Sequence, residues 1–132
     1  MSRLPRHLEH LKTGFTAEAV SAARFRAYAA RAEAEGLPNL ARHWRDLAAA
    51  KDALAVRLLE AAGQARGGAL DLGTAVAEEG YENDVLYPKM VREVDAETAA
   101  ILGEVTAAQK DHLGRIEKLR SAFQAARGDV PA

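Results

Sequence analysis

The sequence contains no cysteine among its 132 residues. It can therefore form no disulfide framework, no cysteine-ligated zinc site or iron–sulfur cluster, and no thiol nucleophile. It also lacks a run of about 18 apolar residues, the length that a membrane-spanning helix requires. The N-terminal residues 1–7 include no apolar stretch of the kind found in secretory signals. These absences predict a cytoplasmic protein that does not contact a membrane.

Neither sign of charge is in excess. Lys and Arg total 18, Asp and Glu total 19, and the formal net charge is −1. Aromatic residues make up only 5% of the chain. Nucleic-acid binding usually shows as a basic stripe with interleaved aromatic side chains, and the sequence has none. We therefore expect no nucleic-acid partner.

The residues that are plentiful favour helices. Hydrophobic residues make up 48% of the chain and are mostly Ala and Leu, while Glu, Lys and Arg supply most of the charge. These are strong helix formers, and no segment alternates β-branched with polar residues as a strand would. The composition predicts an all-α protein.

Capping residues and breakers divide the chain. Thr16, Asn39, Thr74 and Asp95 are suited to the N-cap position, and glycine or proline follows most of the apolar segments that they open. The pattern predicts one four-helix domain over residues 15–127, with an N-terminal arm at 1–14 and a disordered tail at 128–132. The four helices are predicted at about residues 16–35, 39–62, 74–94 and 95–126. Pro88 should kink the third helix.

Each predicted helix carries polar residues in the middle of its apolar face. The third helix has Leu72, Val76, Glu79, Glu82 (or Asn83), Leu86 and Met90 at spacings of three and four. The second has Leu40, Trp44, Leu47, Lys51, Leu54 and Leu58. Glu18 lies on the first face, and Gln109 and His112 on the fourth. A carboxylate in such a face is costly unless it meets a cation, a metal or hydrogen-bond donors. Lys51 either extends to solvent or meets the inward glutamates.

The polar positions recur along the chain. Glu18 and Glu79 are 61 residues apart, and Lys51 and Gln109 are 58 apart. The spacing predicts two helical hairpins related by a pseudo-two-fold axis, with a crossover connection through the glycine-rich residues 63–73. The connection must span about 24 Å and can reach about 36 Å. Exchange of hairpins between two protomers would relieve it, which predicts a homodimer.

One segment carries a resemblance. Residues 80–88, Gly-Tyr-Glu-Asn-Asp-Val-Leu-Tyr-Pro, resemble the third helix of the rubrerythrins, which belong to the ferritin-like superfamily of di-iron carboxylate proteins. The first hairpin is similar as well, from Glu18 through Arg24-Phe25-Arg26 to Leu40-Ala41-Arg42-His43-Trp44. The resemblance covers about residues 14–124. It implies a ferritin-like four-helix bundle of two hairpins with a crossover connection.

The resemblance also implies site residues and an activity. Glu18, Glu79, Glu82 and His112 match family metal ligands, and Tyr87 matches a tyrosine that lies near the metals and is the candidate catalytic residue. The family activity is peroxide or dioxygen reduction with an external electron donor, and it links the chain to iron and oxidative stress. The rubredoxin-type cysteine module of full-length rubrerythrins is absent.

The sequence departs from the family pattern at three metal-site positions. Lys51 and Leu54 stand where the first Glu-x-x-His should be, and Gln109 replaces the Glu of the second. An ammonium next to a metal ion is repulsive, and leucine has no lone pair to donate. We therefore expect no full di-iron centre and no normal di-iron enzyme, with Lys51 supplying the charge of the missing metal.

Two other interpretations remain open at this point. In one, a single Fe, Mn or Zn ion is held by Glu79, Gln109 and His112 with Glu82 or Glu18, and supports rubrerythrin-type peroxidase chemistry. In the other, the helices form an interaction module whose partner surface includes Tyr81 and Val85. That surface would also suit the homodimer.

Overall fold

The computed structural model describes residues 6–126 and 128–132, and the regular elements in this part of the chain are all helices. They are α1 (His7–Ala34), α2 (Pro38–Ala61), α3 (Gly68–Tyr81), a π-helical segment (Glu82–Leu86), α4 (Tyr87–Arg92) and α5 (Ala96–Ala125). Tyr81 and Tyr87, which flank the π-helical segment, keep right-handed helical backbone angles. Residues 68–92 therefore form one continuous helical stretch, and the all-α prediction is confirmed.

The first helix begins nine residues earlier than predicted. Residues 7–14 of the predicted arm belong to α1, and residues 1–5 lie outside the described part. Thr16 is not an N-cap; its hydroxyl donates to the Lys12 carbonyl oxygen, 3.2 Å away, inside the helix. The apolar spacing continues upstream through Leu11, which is half-buried, so the helix gains contacts by extending.

The third helix also begins early, at Gly68 instead of Thr74. The Asp71 carboxylate accepts hydrogen bonds from the backbone N–H groups of Arg66 and Gly67, at 2.9 and 3.1 Å. A carboxylate in the first turn thereby satisfies donors at the helix start, so the helix can begin within the glycine-rich connection. Thr74 has a different role, because its hydroxyl oxygen accepts from the Arg66 guanidinium at 2.7 Å.

Two other predicted boundaries have clear outcomes. Asp95 is the N-cap of α5, and its carboxylate accepts from the Thr98 N–H at 2.7 Å, as predicted. The second helix begins at Pro38 rather than after Asn39, in keeping with the preference of proline for the first helical turn. A π-helical segment lies immediately before the Tyr87–Pro88 pair, where the third helix was predicted to kink.

The chain divides into two compact units, Met1–Ala65 and Arg66–Ala132. In the first unit, α1 and α2 form a hairpin whose connection includes Gly36 at φ 75, a left-handed conformation that favours glycine. The contact between the helices is built from small residues. Among the described residues of the unit, the buried side chains are Ala22, Ala29, Ala32, Ala41, Ala48 and Ala55. Alanines spaced by seven recur on both helices, and side chains of this size let two helices pack closely.

We call these six buried alanines the alanine seam. The larger side chains of the hairpin lie outside it. The leucines of the predicted apolar face of α2, Leu40, Leu47 and Leu54, are 46%, 49% and 51% exposed. Trp44 is half-buried and contacts Phe25 and Tyr28, with ring centroids 5.1 Å away in each case. The first unit therefore buries six of its alanines, whereas Leu40, Leu47 and Leu54 are each about half exposed.

In the second unit, α3, the π-helical segment and α4 pack against α5. Asn83 is the one buried residue among the described residues of this unit. The start of α3 and the end of α5 approach closely at Gly68 and Phe123. A Cβ atom on Gly68 would lie 2.7 Å from the Phe123 ring. None of the described helices is long and apolar enough to cross a membrane.

Candidate functional site

The first unit brings together two of the predicted site residues. Lys51 Nζ lies 2.8 Å from Glu18 Oε2, which joins α2 to α1. The side chains are 33% and 23% exposed, and the Oε2 atom itself is buried. That oxygen accepts no hydrogen bond of good geometry, so the ammonium meets it as an ion pair. The lysine thus supplies positive charge to the one carboxylate on the predicted face of α1.

The pair differs from the other ion pairs of the hairpin. Arg26–Asp52 and Arg45–Glu33 are contacts of 2.7 and 2.9 Å between side chains that are about half exposed. They flank a groove of about 430 Å³ floored by alanines. Ion pairs of that exposure contribute little to stability. The less exposed Lys51–Glu18 pair has more influence because its charges are further removed from water.

The second unit has a polar cluster of its own. Gln109 Nε2, on α5, donates to Glu82 Oε2 at 3.1 Å. Three further polar groups near this level are buried and have no partner: Glu79 Oε2, Gln109 Oε1 and both amide atoms of Asn83. Asn83 is 4% exposed. We name Glu79, Glu82, Asn83 and Gln109 the acceptor cluster, since its unpartnered atoms are mainly oxygens.

The spacing of the polar residues brings them to one side of the helical stretch. Glu79 is three residues before Glu82 and four before Asn83, so the three side chains lie on one face. The wider π turn at Glu82–Leu86 begins within this group and changes the spacing of the side chains. Such turns inside α-helices are frequently found at functional sites.

Two other predicted site residues, His112 and Tyr87, lie apart from these contacts. His112 is exposed on α5, and Leu54, which stands where the family has a histidine ligand, is exposed on α2. Tyr87 is half-buried at the first position of α4. Asn83 is the residue that sequence reasoning gave only as an alternative to Glu82. Its four-residue spacing from Glu79 was the available signal, and the structure gives it the most buried polar side chain among the described residues.

The described residues do not form a group of metal ligands. In the described part of the chain, no three His, Asp or Glu side chains are grouped so that they could hold a metal ion. Lys51 brings a positive charge to Glu18, and Gln109 brings a neutral amide to Glu82. Two closely spaced iron ions need several carboxylates and imidazoles, which these contacts do not supply.

The structure thus defines a class, an all-helical protein with a polar site within each of two helical units. No model of a known protein family matches the chain, and a search of curated proteins finds no match either. The function is therefore argued from the residues themselves.

Proposed function

We propose that the chain is a rubrerythrin-like protein of the ferritin-like superfamily whose di-iron site is degenerate, so that it is not a normal di-iron enzyme. Lys51 supplies the positive charge that a metal would supply. The 2.8 Å contact between Lys51 Nζ and Glu18 Oε2 is the observation that supports this proposal most directly. A ferritin-like bundle with a crossover connection, a cytoplasmic location and a link to oxidative stress belong to the same proposal and rest on the sequence resemblance.

The charge argument has two parts. A carboxylate oxygen removed from water is costly without a cation or donors, and the lysine meets that need for Glu18. A metal ion bound at the same carboxylate would be repelled by the ammonium at close range. Occupancy by Lys51 and occupancy by metal are therefore alternatives at this residue.

Iron loading tests the proposal. Protein purified without chelators is reloaded anaerobically with Fe(II), desalted, and analysed for iron per chain. We expect close to none. The matched variant restores the family pattern through Lys51→Glu, Leu54→His and Gln109→Glu, and we expect it to retain iron. Circular dichroism would show that both proteins are folded. About two irons bound to the unmodified chain would overturn the proposal.

One bound metal ion would have a different meaning. It would support the residual-site interpretation, a rubrerythrin-type peroxidase with an external electron donor that uses Glu79 and His112. The buried, unpartnered Glu79 Oε2 is the observation that favours it. His112→Ala should then abolish both the bound metal and peroxide turnover with an artificial reductant, whereas Lys51→Met should not.

A second candidate function is that of an interaction module, and a specific observation favours it. Tyr81 and Val85 are 57% and 50% exposed, four residues apart on one side of the helical stretch. Tyr81 also borders a groove of about 360 Å³ that extends to Leu86. We propose a second copy of the chain as the occupant. Light scattering should give the mass of a homodimer, and Tyr81→Ser with Val85→Ser should shift it to the monomer.

A further inference from the structure

We propose that the acceptor cluster of the second unit is a binding site for an ammonium group. The site is formed by Glu79, Asn83 and Gln109 around the π-helical segment. Its ligand is a positively charged nitrogen that carries N–H donors, supplied by a small free amine. The inference goes beyond the proposed function, which concerns metal binding and the Lys51–Glu18 pair of the first unit.

The orientation of the Gln109 amide is the first step. A carboxylate can only accept hydrogen bonds, so the NH₂ group of Gln109 must face Glu82, and its contact is 3.1 Å. The carbonyl oxygen Oε1 of the same amide must then point away from Glu82. That oxygen is buried and has no donor. Gln109 therefore contributes one fixed acceptor to the cluster.

Asn83 provides an independent observation. Its side chain is 4% exposed, yet neither its oxygen nor its nitrogen has a partner. A buried amide whose polar atoms have no partner is costly, because it has lost its hydrogen bonds to water. A buried asparagine with two free atoms, placed in a π turn, indicates that a ligand completes its hydrogen bonds.

The number and kind of free atoms select the ligand. The cluster offers three unpartnered oxygens, one each from Glu79, Asn83 and Gln109. An ammonium group has three N–H donors and one positive charge, which suits one carboxylate and two neutral amide oxygens. A divalent transition metal would prefer imidazole or several carboxylates, and the described residues group no three such ligands.

The test uses the full chain and three salts at equal ionic strength: methylammonium, tetramethylammonium and sodium chloride. Tetramethylammonium has the same charge as methylammonium but no N–H donor. Thermal unfolding is measured for the unmodified protein, for Glu79→Gln with Asn83→Leu and for Glu18→Gln. If a free amine is the ligand, methylammonium should raise the melting temperature of the unmodified protein by at least about 3 °C over the other salts.

The selective stabilisation by methylammonium should be abolished in Glu79→Gln with Asn83→Leu and unchanged in Glu18→Gln. A stabilisation that survives the first pair of changes but is lost on Glu18→Gln would place the amine at the first unit. That result would overturn the inference and leave the proposed function standing.

The side-chain amide signals of Asn83 and Gln109 in ¹H–¹⁵N spectra test directly whether an amine binds at the acceptor cluster. Methylammonium should shift both signals in the unmodified protein. Asn83→Ala identifies its own signal. Signals that respond equally to sodium, or to none of the salts, would overturn the inference and indicate that ordered water alone satisfies the cluster.

Discussion

The ammonium of Lys51 lies 2.8 Å from Oε2 of Glu18, and this contact connects the middle of α2 to α1. Its side chains are less exposed than those of the Arg6–Glu9, Arg26–Asp52, Arg31–Glu35 and Arg45–Glu33 pairs. Its partners come from separate helices of one hairpin. A pair of this kind contributes more to holding two helices in register than to the stability of either helix alone.

Removing the lysine should therefore destabilise the first unit. We expect Lys51→Met to lower the free energy of unfolding by about 1–2 kcal/mol, between the small effect of exposed pairs and the larger effect of buried ones. Glu18→Gln and the double variant complete a thermodynamic cycle. Urea unfolding followed by circular dichroism measures each free energy. A coupling energy of zero would contradict the role given to the pair.

The alanine seam makes a second prediction. Ala48 is 2% exposed between α1 and α2, whereas its neighbour Ala49 is exposed on the same helix. We expect Ala48→Leu to lower the free energy of unfolding by about 1–3 kcal/mol, because the added atoms must force the closely packed helices apart. Ala49→Leu is the matched control, since it adds the same atoms where space is open.

Urea midpoints of the two proteins are sufficient for the comparison. Equal midpoints for Ala48→Leu and Ala49→Leu would mean that the helices can separate without cost, and the seam would not be the core of the unit.

The helices were predictable from sequence because local signals agree at most of their ends. Asp95 both caps α5 and follows a helix end, and Gly36 supplies the left-handed turn before α2. Thr16 was wrongly predicted to be an N-cap, because a threonine hydroxyl can equally donate to a carbonyl oxygen one turn back, as it does to that of Lys12. Only the upstream leucines distinguish the two cases.

The core was less predictable, for a physical reason. Hydrophobic periodicity gives most weight to large side chains, and on α2 it selected Leu47 and Leu54, which are about half exposed. The buried face is made by Ala48 and Ala55, one position further on. Alanine is common on every face of a helix, so its seven-residue spacing carries little signal in the sequence alone.

Some features of the candidate site were predictable from the sequence, and others were not. The inward positions of Glu18, Lys51, Glu82 and Gln109 followed from spacing, and the structure pairs them two by two within their own units. Asn83 is buried and lies in the π-helical segment, and no periodicity argument anticipates a change of helix type. The sequence pattern gave Asn83 and Glu82 as alternatives, whereas the structure buries Asn83 and pairs Glu82 with Gln109.

A third prediction concerns the close approach of α3 and α5. A Cβ atom at Gly68 would lie 2.7 Å from the Phe123 ring, closer than real contacts allow. Gly68→Ala should lower the free energy of unfolding by roughly 1–2 kcal/mol. Gly80→Ala is the control, because open space surrounds that position inside α3. There the substitution should stabilise by about 0.5–1 kcal/mol.

The two glycine variants differ in sign, which makes the comparison sharp. Phe123→Leu in the Gly68→Ala background should recover part of the lost stability, because leucine is smaller than the ring that the new methyl group meets. If both variants change stability in the same direction, α3 and α5 do not approach as closely as the structure has them.

The last prediction follows from the helix start at Gly68. Hydrogen bonds from the backbone N–H groups of Arg66 and Gly67 lower the pKa of Asp71 below its usual value. The unfolded chain therefore binds a proton at this residue more readily than the folded chain does. The stability that Asp71 contributes is present above its unfolded pKa of about 3.9, and it is lost as the pH falls through the lower folded pKa.

Asp71→Asn should consequently destabilise the protein at pH 7, and its difference from the unmodified chain should shrink as the pH is lowered towards 3. Asp111→Asn is the control, since Asp111 is exposed in the middle of α5 and caps no helix. Urea midpoints at several pH values measure the effect. Because the folded carboxylate needs its charge to hold two backbone donors, a difference that stays constant from pH 7 to pH 3 would show that Asp71 does not fix the start of α3.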